Sequence, residues 1–199
     1  MKKVVIFGAA GHTGKYITRK MISESDIELS VFVRNPQKFG NLDMTGVNVI
    51  QGDAVNYDDV KKAMDGQDIM LCSLDGDILT MAKNIVTALK ETSVRRIVWI
   101  TGMGIHHEIT GARGIMLNMY AKKRPEYIEA ADLIAESDAT TTLLRCPGIV
   151  DGENESYNLT DESKQPLHRD VDRSAIAQFM ADVMRDETIG ANDSLGITN

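Results

Sequence analysis

Three glycines at positions 8, 11 and 14, in the stretch Gly8-Ala9-Ala10-Gly11-His12-Thr13-Gly14, carry the clearest chemistry in these 199 residues. Glycines at this spacing let a backbone come close to a phosphate, and the N–H groups of a helix that starts there point at the anion. The same string also makes ordinary strand-to-helix turns. What sharpens it is its place directly behind the apolar run Val4 to Phe7. The expected ligand is a dinucleotide. Arg34 follows Gly14 by 20 residues (34 − 14), where an NAD-selective site usually carries an acid on the ribose 2′-hydroxyl. A guanidinium there can grip a 2′-phosphate bidentately and stack on adenine. The expectation is therefore NADP(H) in preference to NAD(H), with a solvated surface arginine as the plainer alternative.

Other constellations say less. His106-His107-Glu108 supplies metal-ligand types, but adjacent histidines without a third spaced ligand read as loop residues, so no metal is expected. Asp75-Gly76-Asp77 lacks the rest of a calcium loop and reads as a turn followed by a helix N-cap. Cys146 has no histidine or second cysteine close in sequence to activate it. Met116 and Met119 suit a soft apolar pocket.

The elements that must position these residues alternate between strand and helix. Strands read at Val4–Phe7, Ile27–Val33, Val47–Gln51, Asp68–Ser73, Arg95–Thr101 and Thr141–Arg145. Helical spacing reads from Lys15, after an Asn56 cap, over Ile78–Lys90 and Pro125–Ser137, and through Ile176, Phe179, Met180, Val183 and Met184. This alternation predicts an α/β fold: a Rossmann-type doubly wound parallel sheet in a single domain over residues 1–199. Segments 103–119 and 151–172 escape periodic assignment. They follow the fifth and sixth strands, so they are expected to be irregular walls of a pocket for a small-molecule substrate.

Composition fits that picture. The chain is 43% hydrophobic and 26% charged, with a net charge of −7 that argues against nucleic acid and against an anionic membrane as partners. No apolar run approaches a membrane span, and the first strand begins at once, so no signal peptide is expected. Cys72 and Cys146 sit in apolar strand contexts and suggest reduced, cytoplasmic thiols. The sequence leaves a homodimer open.

Taken together, the glycine stretch, Val33-Arg34-Asn35-Pro36, Gly52-Asp53-Ala54 and the run from Ala130 to Asp138 into Thr142-Leu143-Leu144-Arg145 resemble one family. It is the atypical short-chain dehydrogenase/reductases of the NAD(P)H-binding type, NmrA-like and biliverdin reductase B-like. The resemblance spans nearly the whole chain. It implies that Gly8, Ala10, Gly11, His12, Thr13 and Gly14 wrap the pyrophosphate, that Arg34 holds the 2′-phosphate, and that Asp53 and Ala54 edge the adenine. It also implies that Ser73 and Leu74 line the nicotinamide-side ribose. Thr101 and Gly102 would lie beneath the nicotinamide, with Pro147, Gly148 and Ile149 beside its carboxamide.

Two departures stand out. Many relatives place proline directly after the sixth-strand arginine, whereas Cys146 intervenes here before Pro147. The usual Tyr-x-x-x-Lys pair, in which the cation lowers the tyrosine pKa, has its nearest match in Tyr120 and Arg124. Counted back from Ser137, the helical slots for that pair fall nearer Lys123 and Tyr127, which puts Tyr120 in a loop ahead of the helix. Thr101 and Tyr120 are the candidate catalytic side chains. The implied activity is an NADPH-dependent reductase acting on a quinone, flavin, aldehyde or similar acceptor. A non-catalytic NADP(H)-binding sensor is the alternative, and an epimerase or dehydratase would need the missing pair.

Overall fold

The computed structural model describes residues 1–166 and 170–199. The chain runs β1 (Lys2–Phe7), α1 (His12–Ile22), β2 (Ile27–Val33), a 3-10 turn at Pro36–Phe39, β3 (Asn48–Gln51), α2 (Tyr57–Met64), β4 (Ile69–Cys72) and α3 (Ile78–Leu89). It continues with β5 (Arg96–Gly102), α4 (Gly111–Lys123), α5 (Pro125–Ala135), β6 (Thr140–Cys146), β7 (Gly148–Val150), β8 (Asn158–Thr160), β9 (Asp170–Asp172), α6 (Arg173–Arg185) and β10 (Asp193–Thr198).

Eight of these strands form one sheet in the order β3-β2-β1-β4-β5-β6-β10-β8. Its pairs are parallel except β10 with β8. The chain winds outward from β1 to β3, returns to β4 on the other side of β1, and winds outward again. The order therefore reverses between β1 and β4, which is where open parallel sheets bind their ligands. Val4 to Phe7 and Ile69 to Cys72 are buried throughout, as central strands covered on both faces must be. One face packs on α1 and α6 through residues such as Ile17, Met21, Ile176 and Phe179. The other packs on α2, α3 and α5 through Val60, Ile85, Trp99 and Ile134.

Local signals behave as their chemistry demands. The Asn56 side chain accepts the Asp59 N–H at the start of α2, and Asp58 and Asp59 stand in its first turn. Asp77 caps α3, and Pro125 opens α5.

Three expectations need correction. Segment 103–119 is not irregular throughout, because α4 occupies 111–123. Its buried residues are Gly114 and Ala121, too small to leave an inward apolar stripe in the sequence. A Cβ at Gly114 would lie 1.9 Å from the Ile109 carbonyl oxygen, so the glycine is what lets the helix fold back on its own lead-in. Tyr120 consequently lies on α4, not in a loop ahead of α5. Segment 151–172 contributes β8 and β9, with positions 167–169 outside the described residues. Finally, β10 extends the parallel sheet beside β6. Asp193, Ser194 and Gly196 hide it from a hydrophobic pattern, although Ile197 and Thr198 are buried.

Candidate functional site

The glycine turn sits at the switch point and explains its own composition. Gly8 holds φ +77°, and a Cβ there would lie 2.0 Å from the Ser73 carbonyl oxygen, so β1 and β4 can approach only with glycine. A Cβ at Gly14 would lie 2.1 Å from the Gly8 carbonyl oxygen, so this glycine seats α1 against the turn. Gly11 differs. Its N–H donates to the Gly8 carbonyl at 2.9 Å, and a Cβ would meet only that oxygen, at 3.1 Å. Gly11 is also the N-cap of α1, with no side-chain cap and no acid in the first turn. The helix thus presents uncapped N–H groups, the arrangement that takes an anion.

A cleft opens from this turn. It is lined by Gly8, Ala10 and Gly11, then by Phe32, Val33, Arg34, Asn35 and Lys38 at the end of β2. Gly52, Asp53 and Ala54 follow β3 into it, and Ser73, Leu74 and Asp75 follow β4, with Met81 of α3 closing the wall. Eight residues singled out from the sequence are therefore together: Gly8, Ala10, Gly11, Arg34, Asp53, Ala54, Ser73 and Leu74. His12, Thr13 and Gly14 form the first turn of α1 beside it. Thr101 and Gly102 end β5, and Pro147 follows β6 with Gly148 and Ile149 on β7; none of these five lines the cleft. Thr101 is nonetheless buried, and its Oγ1 has no hydrogen-bond partner among the described residues.

Lys38, Gly52, Asp75 and Met81 also line the cleft, although the sequence assigns none of them a place in the site. Lys38 had a legible signal. Pro36 starts a 3-10 turn in which the Asn35 side chain accepts the Gln37 N–H, and one such turn returns Lys38 to the side of Arg34. Gly52 is needed because a Cβ would lie 2.6 Å from the Phe32 ring. Asp75 reads from the sequence only as part of a turn.

Tyr127, not Tyr120, hydrogen-bonds a residue of the cleft wall. Tyr120 is 60% exposed on α4, where Ile115, Met116 and Met119 are exposed too, so the two methionines are not enclosed as a soft apolar pocket would have them. Its phenol accepts Arg124 Nη1 at 3.2 Å. The Tyr127 phenol donates to the Asp75 carboxylate at the cleft wall and accepts Arg124 Nη2 at 2.6 Å. The guanidinium also lies 4.0 Å from the Tyr127 ring centroid. Tyr127 holds the Asp75 carboxyl below the usual carboxylate range. Burial and that carboxylate in turn push the Tyr127 phenol up, which keeps its proton on. Arg124 thus serves two phenols and is no free cation for Tyr120.

The remaining candidates separate. His106 and His107 face different partners, Glu162 and Asp132 for the first and Asn118 for the second. The Cys146 thiol is buried and pushed up to about 12 by that burial, so it is no nucleophile. No helix among the described residues is long and apolar enough to cross a membrane.

The chain is similar in sequence and fold to known NAD(P)-binding proteins. A family model described as NAD(P)H-binding matches residues 8–187. A Rossmann-fold NAD(P)-binding family protein from Shigella flexneri superposes with a TM-score of 0.85 at 26% identity, covering 100% of this chain and 94% of that one. A short-chain dehydrogenase/reductase from Veillonella parvula, solved in complex with NADP, gives 0.84 at 23% identity over 100% and 94% of the two chains. A 2-alkyl-3-oxoalkanoate reductase from Shewanella oneidensis is 28% identical over 144 residues, which are 66% of this chain and 36% of that protein. The chain spans about a third of the length of the curated relatives it matches.

Proposed function

This chain belongs to the NAD(P)H-binding family, and from that premise we propose that it is an NADPH-dependent reductase. Its substrate on this reading is a small hydride acceptor such as a quinone, flavin or aldehyde, reduced within one domain over residues 1–199. The observation that carries the reading is the cleft itself, which joins an uncapped, glycine-lined helix N-terminus to Arg34 and Lys38 at its far end. A dinucleotide carries anionic groups at both those places, and the 2′-phosphate distinguishes the NADP form. Gly8, Ala10, Gly11, His12, Thr13 and Gly14 take the pyrophosphate. Arg34 and Lys38 take the 2′-phosphate, and Asp53 and Ala54 edge the adenine. Ser73 and Leu74 line the second ribose. Thr101, Gly102, Pro147, Gly148 and Ile149 lie toward the nicotinamide, where the orphaned Thr101 hydroxyl needs a polar partner. Bound in this way, the cofactor supplies the hydride.

The chain's own residues supply orientation rather than an acid. Tyr120 faces outward and Arg124 is committed to two phenols. That arrangement suits acceptors that take hydride readily and draw their proton from water. It also favours a second reading, a sensor that binds NADP(H) without turning it over. The deciding experiment is a screen of quinones, flavins and aldehydes for NADPH oxidation, run beside a direct NADPH titration. Oxidation with any acceptor supports the reductase. Tight binding with no turnover across the panel moves the assignment to the sensor, and no binding at all removes both. The free, buried thiols of Cys72 and Cys146 suit a reducing compartment, and we assign the protein to the cytoplasm on that ground.

A further inference from the structure

His106 stands in the segment between β5 and α4, and its ring is clasped by two carboxylates from distant parts of the chain. Nδ1 lies 2.7 Å from Glu162 Oε1, in the segment that follows β8. Nε2 lies 3.2 Å from Asp132 Oδ1, on α5. Beneath it the buried Glu108 accepts the Gly104 and His106 N–H groups at 2.7 and 3.2 Å and pairs with Arg145 of β6 at 2.5 Å. Arg145 Nε also lies 3.7 Å from Glu162. Because Glu108 and Arg145 neutralise each other, one imidazole is left between two carboxylates.

A second link joins the same two segments. Gln165 Nε2 donates to the Glu108 carbonyl oxygen at 2.8 Å, and its Oε1 accepts the Thr110 N–H at 3.0 Å. That amide does not titrate. The imidazole does, and its two states make different bonds. An imidazolium carries N–H on both nitrogens and donates to both carboxylates. A neutral ring has one N–H, so one carboxylate must face a lone pair.

We propose that His106 is a proton-operated pin: charged, it locks segments 104–110 and 161–165 to α5, and neutral, it keeps only one of its two links and loosens α5 from the two segments, which Gln165 still joins. The inference goes beyond the reductase reading and stands without it. Burial works against the charged ring, but Glu162 and Asp132 outweigh it and hold His106 above the ordinary histidine value. The pin therefore opens as pH rises through a midpoint above the ordinary histidine value rather than as pH falls. What it releases is the connection leading out of Thr101 and Gly102, together with the segment that covers Arg145.

The test is an NMR titration of the whole chain, following the four histidine rings, with the His106 signal assigned by its loss in His106→Gln. We expect a His106 midpoint above 6.5. Glu162→Gln and Asp132→Asn should each lower it by about half a pH unit or more, a roughly threefold loss of proton affinity. The backbone amides of Gly104 to Thr110 and of Glu162 to Gln165 should shift with the same midpoint in the unmutated chain and stay flat in His106→Gln. A midpoint at or below 6.5, or a ring that titrates while those amides stay silent, overturns the pin. Should His106→Gln fail to fold, the two carboxylate variants carry the same comparison.

Discussion

At the scale of single residues, charge and hydrogen-bonding capacity decide what the cleft takes. Arg34 and Lys38 are both exposed at its far end. A phosphate between them gains charge-assisted bonds that a plain 2′-hydroxyl cannot make. NADPH should bind at least about tenfold tighter than NADH, a difference of about 1.4 kcal/mol. Arg34→Ala should erase most of that difference, Lys38→Ala part of it, and both should leave NADH affinity nearly unchanged when measured by titration. Equal affinities in the unmutated protein would refute the assignment. Tyr120 tests the opposite claim, that a residue does nothing chemical. A positioned acid contributes typically 10²- to 10⁴-fold to a rate. With its phenol exposed on α4 and hydrogen-bonded by Arg124, Tyr120→Phe should keep kcat within about tenfold on any acceptor that turns over. A loss beyond a hundredfold at unchanged NADPH affinity would restore a tyrosine acid.

At the scale of elements, the glycine turn separates binding from folding. Gly11 has φ −71°, which any residue adopts, and an added side chain meets only the Gly8 carbonyl before open space. Gly11→Val should therefore fold cooperatively and bind no dinucleotide. Gly14 has no such freedom, since a Cβ there meets Gly8 and Ala9 backbone at 2.1 to 2.9 Å. Gly14→Val should lose several kcal/mol of stability, of the order seen for severe overpacking. Denaturant unfolding beside an NADPH titration distinguishes the two, and a Gly11→Val protein that binds normally would move the phosphate site elsewhere. This turn was legible in the sequence because backbone geometry itself selects glycine. The central strands β1 and β4 were legible because buried parallel strands are continuously apolar. The edge strand β3 is largely exposed and was legible from its apolar pair Val49 and Ile50. α4 was not, since its inward positions are Gly114 and Ala121 while its larger apolar side chains face out. β10 was not, because its partner β6 supplies the burial that its own sequence does not advertise. Of the cleft, the glycine turn and Arg34 were readable from spacing. The contact of Asp75 with Tyr127 crosses 52 residues and has no local signature.

At the scale of the whole molecule, the ionisable groups around Arg145 tie together elements that are far apart in the chain, and they make stability depend on pH from both sides. Glu108 and Arg145 are almost wholly buried. Burial works against the charged Glu108, yet the Gly104 N–H and the Arg145 guanidinium hold its pKa below the usual carboxylate range. A depressed acid stabilises the fold above its unfolded value near 4.5 and loses that contribution as pH falls through the folded value. His106 has the opposite sign. Its raised pKa stabilises the fold fully below 6.5, and the contribution fades as pH climbs through the folded value. Glu162, also held low by His106 despite its partial burial, joins the acid side. The two limbs together give a stability maximum between about pH 4.5 and 6.5, measurable as unfolding free energy across a pH series. His106→Gln should flatten the alkaline limb and leave the acid limb in place. Glu108→Gln should lose roughly 3–5 kcal/mol at pH 7, because it strands a buried guanidinium, and should weaken the acid limb. A stability curve that keeps rising from pH 6.5 to 9 would mean that His106 carries no charge in the folded state. The ring would then donate to one carboxylate and turn a lone pair to the other, and the pin would have no charged state to lose.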